Sequence, residues 1–201
     1  MNDTYINDLI KKLEQTKVYI NTKKELAYDI GMQEVVACFT RHKQEKSQIF
    51  FIGNGGSSAT ASHYQNDFNI ASHMTADFMK NGGMRTYSLY DNAVTTCMGN
   101  DYGYAYVFSR PLAFLGQEND LLVAISSSGS SQNIVNAIHV AKTKKMEVIT
   151  LTGFLPDNPS KQMGDINVYV PSEKYGVVES IHNLMLQQTV DLIMVRDGVS
   201  L

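Results

Sequence analysis

QIFFIGNGGSSATASHYQNDF, from Gln48 to Phe68, is the stretch around which the rest of the chain is arranged. Its apolar run Ile49 to Ile52 is compact enough for a strand buried on both faces. A glycine-rich turn at 53–56 follows, and Ser57 then begins a polar segment typical of a helix. Glycines let the backbone approach a ligand closely, and a helix start offers unpaired N–H groups to an anion. The stretch therefore indicates a phosphate-binding turn, with an ordinary strand-to-helix turn and a serine N-cap as the alternative.

Composition and charge limit the class of protein. At 201 residues and 43% hydrophobic, the chain can bury one core of ordinary size. The net charge is −3, with 17 basic and 20 acidic residues and no basic run, which argues against a nucleic-acid partner. The N-terminus has no apolar signal core, and no apolar run approaches the length of a membrane span. We expect a soluble, cytoplasmic protein with no membrane partner.

The alternation of apolar and polar segments predicts an α/β fold. Helices are expected over residues 4–24 and about 27–42, and five buried strands over 49–52, 86–90, 121–125, 147–151 and 166–170. Helices between the strands and a long final helix over 176–195 indicate a parallel sheet covered on both faces. The prediction is a three-layer αβα sandwich with a five-stranded parallel sheet and two leading helices. We expect one domain, 1–201, made of a helical pair (1–46) and an α/β core (47–201).

The segments between the second and third strands give weaker signals. We expect a loop from His73 to Gly83, a short helix over Val94–Met98 that begins after Asp91, and a turn at 99–103. A helical pattern resumes over 105–115, where Pro111 predicts a kink or restart.

Isolated cysteines and histidines show no functional spacing. Cys38 and Cys97 form no metal or redox pattern and are expected to be buried as small apolar residues. His42, His73 and His139 have no supporting context and are expected at the surface.

A second candidate ligand loop follows the third strand. ISSSGSSQN, from Ile125 to Asn133, contains the serine loop, which we define as residues 126–131. Hydroxyls and backbone N–H groups that converge at a helix start suit the terminal oxygens of a phosphate monoester. Both this loop and the turn at 53–56 follow strands, at the edge where ligands of open α/β sheets bind. A flexible serine-rich loop is the alternative. Because the chain has neither GxGxxG nor a Walker lysine, we expect no nucleotide cofactor.

These segments resemble a known family. GNGGSSATASHYQNDF and AISSSGSSQNIVNAI are similar to the two signature segments of sugar isomerase (SIS) domains, and the phosphoheptose isomerases are the nearest group. GNDYGYAYVFSR, TLTG and VPSEKYGVVESIH also match that group, so the resemblance covers the chain from about residue 48 onward. It implies an aldose–ketose isomerase that interconverts sedoheptulose 7-phosphate and a heptose 7-phosphate, and a homotetramer in which the last helix reaches a neighbour's site.

The resemblance also assigns functional residues. Those implied in substrate binding are Asn54, Gly55, Gly56, Ser57, Asn100, Asp101, Ser126, Ser127, Ser128 and Ser131. In phosphoheptose isomerases a histidine–glutamate pair on the first helix and a glutamine–histidine pair on the last helix bind zinc or act on the substrate. This chain has His63 and Asp67 at the first pair, and Glu179 and Gln187 at the second.

Spacing independently groups some of the same side chains. His63 and Asp67, at i and i+4, share a helix face, and so do Glu179 and His182, at i and i+3. Together they could bind a divalent metal such as zinc or supply the acid and base of the isomerisation. The expected metal ligands are thus His63, Asp67, Glu179 and His182, and the expected catalytic residues are Asp67, Glu179, His182 and Gln187. The alternative is that the histidines pack or cap while the carboxylates face solvent.

Two functions from different classes remain. The first is the sugar-phosphate isomerase, with the serine loop on the phosphate and Gln187 orienting the substrate. The second is a non-catalytic sugar-phosphate-binding SIS protein that acts as a tetrameric scaffold, such as one that associates with a replication initiator. Convergence of the catalytic side chains beside the serine loop would favour the enzyme.

Overall fold

The computed structural model of the protein describes residues 3–71 and 83–199. The helices are α1 (Asp3–Glu14), α2 (Tyr28–Glu45), α3 (Gly56–Ala71), α4 (Asn92–Tyr102), α5 (Ser109–Leu115), α6 (Gln132–Thr143) and α7 (Tyr175–Arg196). The strands are β1 (Lys17–Ile20), β2 (Lys24–Leu26), β3 (Gln48–Gly53), β4 (Arg85–Ser88), β5 (Leu121–Ser126), β6 (Glu147–Thr152) and β7 (Ile166–Tyr169). The loop expected from His73 to Gly83, including His73 itself, lies outside the described residues except for its last position.

One sheet runs through the molecule. Its strand order is β2-β1-β7-β6-β5-β3-β4. The five strands from β7 to β4 are parallel, and they are the five that the sequence predicts. The α/β class and the parallel sheet are therefore confirmed, and β1 and β2 extend the sheet to seven strands.

Alternate residues of the buried strands face two separate hydrophobic layers. Phe51 packs on one face with Phe39 of α2 and Phe68 of α3, whose rings stack with centroids 4.3 Å apart. Phe50 packs on the other face with residues of α5 and α6. Because helices cover both faces of the sheet, a ligand can reach it most easily at the strand ends.

The N-terminal segment contains a β-hairpin where a helix was predicted. Residues 4–24 are helical only as far as Glu14, and Val18 of β1 then pairs antiparallel with Leu26 of β2 and with Val168 of β7. Val-Tyr-Ile at 18–20 prefers a strand, and positive φ angles at Asn21 (48°) and Thr22 (61°) cannot continue a right-handed helix. The prediction of one continuous first helix is wrong for this reason.

The connection from β4 to β5 is more helical than predicted. α4 extends to Tyr102, so the prediction of a turn at 99–103 is wrong for residues 99–102, which are helical. The chain changes direction only at Gly103, where φ is +89°. Asp91 caps α4 as expected, since its Oδ1 accepts a hydrogen bond from the Val94 N–H at 2.9 Å. Pro111 falls in the first turn of α5, where no backbone donor is needed, and the helix begins just before it.

Two expectations about isolated residues need correction. His42 is buried rather than at the surface, because its ring is 2.6 Å from the Ser47 hydroxyl and 2.9 Å from the Glu147 carboxylate. Cys38 is buried as expected, but Cys97 is exposed on α4, and His139 is exposed as predicted. Among the described residues, no helix is long and apolar enough to cross a membrane.

Candidate functional site

The two predicted ligand loops lie side by side. β3 and β5 are neighbouring parallel strands, with Gly53 opposite Ile125. The chain therefore leaves both strands at the same edge of the sheet, and α3 and α6 begin there with their N-terminal ends. The N-terminus of a helix attracts anions because its first N–H groups have no partner within the helix.

A pair of asparagines joins the two loops. Asn54 Nδ2 donates to Asn133 Oδ1 at 2.9 Å, and Asn133 Nδ2 donates back to Asn54 Oδ1 at 2.8 Å. The Tyr104 hydroxyl also donates to Asn54 Oδ1, at 2.9 Å. Oδ1 of Asn133 further accepts the Ile134 N–H at 3.0 Å, so the pair is anchored to the first turn of α6.

The serine loop is held in a tight turn that only glycine can make. Gly129 has a φ of +64°, and a Cβ at this residue would lie 1.9 Å from Asn158 Oδ1. Its N–H donates to the Ser126 hydroxyl and backbone oxygens, both at 3.1 Å, and its carbonyl accepts the Ser160 N–H at 2.9 Å. The loop is thus packed from behind by residues 158–160 and is not a flexible serine-rich segment.

These loops enclose a cavity of about 140 Å³. Its lining residues come from both loops and from the start of α7, and they are Asn54, Ser57, Ile125, Ser126, Ser127, Ser128, Ser131, Tyr175 and Glu179. Ser127 is 5% exposed, and its hydroxyl has no hydrogen-bond partner within the part of the chain that the structure describes. A buried hydroxyl without a partner costs free energy, so this one is suited to a polar ligand.

Glu179 is the charged group at the cavity. Its carboxylate lies against the first residue of α3, where a Cβ built on Gly56 would be 2.7 Å from Oε2. The positive end of the α3 dipole favours a carboxylate at this position. Glu179 is the only carboxylic acid among the described residues that line the cavity, which makes it the candidate for proton transfer.

The other sequence-predicted substrate residues do not line this cavity. Asn100 and Asp101 are exposed on α4, where Asn100 Nδ2 donates to Asp101 Oδ1 at 2.8 Å and Cys97 Sγ lies 3.4 Å from Asp101 Oδ2. The segment that contains them contacts the site through Tyr104, which bonds Asn54.

The predicted metal and acid–base residues are spread over three environments. His63 Nε2 is 3.1 Å from Asp67 Oδ2 on α3, and the His63 side chain is 60% exposed. Gln187 Nε2 donates to Asp191 Oδ1 at 2.9 Å on α7. His182 is 1% exposed, its Nε2 faces the Thr152 carbonyl at 3.2 Å, and burial lowers its pKa to about 4.

A single chain does not bring the four predicted zinc ligands together. Across residues 3–71 and 83–199, the one group of three or more metal-binding side chains with mutually close ligand atoms is Cys38, His42 and Glu147. The His182 ring is enclosed in the core, whereas His63 faces outward. The residues present therefore do not fit a zinc ion shared by His63, Asp67, Glu179 and His182 within one subunit, and their roles remain predictions.

Three residues of the site were not singled out from the sequence. Asn133 stands at the end of the quoted serine-loop motif, and its position just inside α6 is the signal that could have identified it. Tyr175 begins the last helix and packs edge-on against Phe154, with ring centroids 4.9 Å apart. Tyr104 has no comparable sequence signal, because its contact depends on how α4 is placed.

Comparison with protein families and curated proteins gives one consistent result. The model of the SIS domain family matches residues 12–153. The phosphoheptose isomerase of Laribacter hongkongensis is 32% identical over 197 residues, covering 92% of this chain and 95% of its own. That of Glaesserella parasuis serovar 5 is 30% identical over 181 residues, covering 89% and 91%.

Solved structures agree with the sequence comparisons. A phosphoheptose isomerase from Francisella tularensis superposes with a TM-score of 0.79 at 25% identity, covering 95% of each chain. The phosphoheptose isomerase of Neisseria gonorrhoeae gives a TM-score of 0.78 at 26% identity, covering 97% of this chain and 96% of its own.

Proposed function

The chain belongs to the SIS domain family, and we propose that it is a sugar-phosphate aldose–ketose isomerase that acts on a phosphoheptose such as sedoheptulose 7-phosphate. One observation carries the proposal. The serine loop, the start of α3 and Glu179 all border one cavity, where the buried Ser127 hydroxyl has no hydrogen-bond partner among the described residues. The phosphoheptose isomerases that resemble this chain over most of its length supply the substrate class.

The phosphate end of the substrate is bound by neutral groups. Hydroxyls of the serine loop and of Ser57 donate to the phosphate oxygens, and the Ser127 hydroxyl gains the partner that it lacks. The positive ends of the α3 and α6 dipoles compensate the negative charge. The described lining of the cavity contains no lysine or arginine. In this proposal, hydrogen bonds and the helix N-termini therefore stabilise the phosphate charge in place of a basic side chain.

Glu179 moves the proton. The isomerisation transfers hydrogen between the two carbons at the carbonyl end of the sugar. The carboxylate removes a proton from C1 of the ketose to leave an enediolate and returns it to C2, while the hydroxyl proton moves in the same sense, from O1 to O2, so that C1 becomes the carbonyl carbon. Tyr175 also lines the cavity, and in this proposal its hydroxyl hydrogen-bonds those oxygens.

Assembly into a homotetramer in the cytoplasm completes the proposal. Apolar side chains are exposed along α1 and α7, among them Ile6, Ile10, Leu184, Leu192 and Val195. These surfaces suit contacts between subunits. A neighbouring chain could then bring its α7 to the outward-facing His63 and Asp67, which a single chain leaves apart from Glu179. Light scattering behind a size-exclusion column measures the mass directly.

The test is proton NMR of sedoheptulose 7-phosphate with the purified protein. We expect conversion by the native chain, a loss of at least a hundredfold in Glu179→Gln, and a raised KM with little change of kcat in Ser127→Ala. The Asp67→Asn variant distinguishes the role of Asp67 from that of Glu179. In this proposal Glu179 acts on the substrate within its own subunit, whereas Asp67 acts only across an interface. Full activity of Glu179→Gln would show that Glu179 does not transfer the proton. If the native protein binds phosphate but converts no sedoheptulose 7-phosphate, the scaffold function is favoured.

A further inference from the structure

A second group of side chains with metal-binding chemistry lies at the opposite edge of the sheet. Cys38 and His42 are one helical turn apart on α2, and Glu147 is the first residue of β6. One ligand atom from each, a sulfur, a ring nitrogen and a carboxylate oxygen, lies within 4.8 Å of the other two. Cys38 and His42 are buried, and the Glu147 side chain is 23% exposed. The site is distinct from the cavity at the serine loop, which lies beyond the carboxyl ends of the strands.

The orientation of His42 suits a metal ligand. Its Nδ1 is 2.6 Å from the Ser47 hydroxyl, and its Nε2 is directed at Glu147, 2.9 Å from Oε2. Histidines that bind metals usually hydrogen-bond their second ring nitrogen, which fixes the ring and the tautomer. In the metal-free chain Nε2–H donates to Glu147. When an ion takes the place of this proton, Nε2 becomes its ligand and Nδ1–H donates to the Ser47 hydroxyl.

A route from solvent leads to this group. A cleft of about 400 Å³ reaches Cys38 and Glu147 and is also lined by Glu34, Arg41 and Asp165. Carboxylates outnumber the guanidinium in this lining, so the cleft attracts cations. Lys142 pairs with Asp165 at 2.5 Å from outside the cleft and offsets part of that charge.

Arg41 competes with a metal ion for the Glu147 carboxylate, and its guanidinium also lies 3.9 Å from Cys38 Sγ. Its guanidinium bonds Glu147 at 2.5 Å, and its side chain is 47% exposed. An exposed arginine can turn into solvent when a divalent cation replaces it at the carboxylate. Burial raises the pKa of the Cys38 thiol, so the cation must also displace the thiol proton.

We propose that Cys38, His42 and Glu147 bind a thiophilic divalent cation such as Zn²⁺, which links α2 to β6 at the edge of the sheet remote from the substrate. One thiolate, one imidazole and one carboxylate form a donor set that zinc accepts, and a water completes four-coordination. Each bound ion releases the Cys38 proton. The affinity therefore rises with pH, and the bound ion stabilises the folded chain.

Cobalt(II) tests the site because a thiolate ligand gives a sulfur-to-cobalt charge-transfer band in the near ultraviolet. We expect one equivalent of Co²⁺ to produce this band in chelator-treated full-length protein, and Zn²⁺ to displace it. We expect no such band in Cys38→Ala. In Glu147→Gln we expect the affinity for Co²⁺ to be at least tenfold lower. Cys97→Ser, which removes the exposed thiol beside Asp101, and Asp67→Asn, which alters the other predicted metal set, are expected to retain it.

A second measurement covers variants that are less stable. We expect Zn²⁺ to raise the unfolding temperature of the native chain and of Cys97→Ser, but not that of Cys38→Ala. The proposal is overturned if native protein gives no charge-transfer band, or if the band survives in Cys38→Ala and disappears in Cys97→Ser. Neither result depends on isomerase activity.

Discussion

Asn54 and Asn133 bind each other through two reciprocal amide hydrogen bonds, of 2.9 and 2.8 Å. One residue follows β3 and the other opens α6, so the pair fixes the distance between the two helix N-termini. Each asparagine uses its oxygen again, for Tyr104 or for the Ile134 N–H. The phosphate-binding geometry therefore depends on a contact between loops that are far apart in the sequence.

Substitution of Asn133 should weaken substrate binding. Asn133→Ala leaves the Asn54 amide without its partner, at a cost of about 1–3 kcal/mol. We expect KM for the sugar phosphate to rise about tenfold, since ~1.4 kcal/mol corresponds to that factor. Gln132→Ala is the matched control, because it removes only an exposed hydrogen bond to Asn136. Equal kinetics in the two variants would show that the asparagine pair does not position the loops.

Gly129 should tolerate no side chain. Gly129→Ala combines a left-handed φ with a clash against Asn158, so we expect a loss of stability beyond the ~1–2 kcal/mol that the left-handed conformation costs alone. Gly55→Ala is the comparison, since Gly55 has a similar φ of +55° but no heavy atom within 4 Å of the added carbon. Urea unfolding of both variants separates the clash from the conformational cost. Equal losses of stability in the two variants would mean that the Asn158 side chain moves aside without an energetic cost.

Asn158, which packs against Gly129, should stabilise the conformation of the serine loop. Its Nδ2 donates to the carbonyls of Gly153 (3.2 Å) and Leu155 (2.9 Å), and its Oδ1 accepts the Lys161 N–H at 3.0 Å. In Asn158→Ala we expect faster amide exchange over 126–131 and weaker binding of inorganic phosphate.

The control for Asn158 is another buried asparagine. Asn167 bonds Thr150 at 2.8 Å and Gly164 at 2.9 Å, away from the serine loop. Asn167→Ala should lower the unfolding temperature to a similar extent but leave exchange over 126–131 unchanged. If both variants alter that segment equally, the effect is general destabilisation.

Acid should destabilise the protein through His182. Burial lowers the pKa of His182 from 6.5 to about 4, so the unfolded chain takes up a proton that the folded chain does not. Above about pH 6.5 His182 does not lower the free energy of unfolding. As the pH drops from there towards 4, the free energy of unfolding falls by up to about 1.4 kcal/mol per pH unit. Urea unfolding between pH 7 and 4 should show this slope in the native chain and a flatter one in His182→Gln. An unchanged slope in the variant would assign the loss to other groups.

A second loss of stability is expected at lower pH. Burial of Glu147 acts to raise its pKa, but hydrogen bonds from His42 and Arg41 prevail and lower it from 4.5 to about 2. The stability that this carboxylate contributes is present above about pH 4.5 and is lost as the pH falls towards 2. Glu147→Gln, unfolded in the presence of a chelator, should lack this lower step. A step of the same size in the variant would exclude Glu147 as its cause.

The parallel core could be predicted from the sequence because its strands are short apolar runs between strong turn signals. Gly53–Gly56 and the serine loop mark strand ends unambiguously, and ligands of such sheets bind there. The hairpin was missed because Val18-Tyr19-Ile20 fits both a helical and a strand period over so few residues. Its partner, β7, lies about 150 residues away and is not visible in local sequence.

The candidate site was predicted in part. Ser126, Ser127, Ser128 and Glu179 border one cavity, as their placement after strands and on the last helix suggests. Spacing places His182 on the same helix as Glu179, but it does not say which side faces the core. The burial of His182 and of His42 depends on packing between elements, which a single sequence does not show.

The short hairpin at the N-terminal side also limits how copies of this chain can associate. A parallel strand at the border of a sheet exposes unpaired N–H and C=O groups that recruit strands from other molecules. Here β1 covers that side of β7, and the outermost strand, β2, has only three residues, two of them the exposed Lys24 and Glu25. A brief, charged border discourages the addition of further strands, so at this border the sheet resists open-ended growth into fibrils, and ordered assembly is left to the helical surfaces.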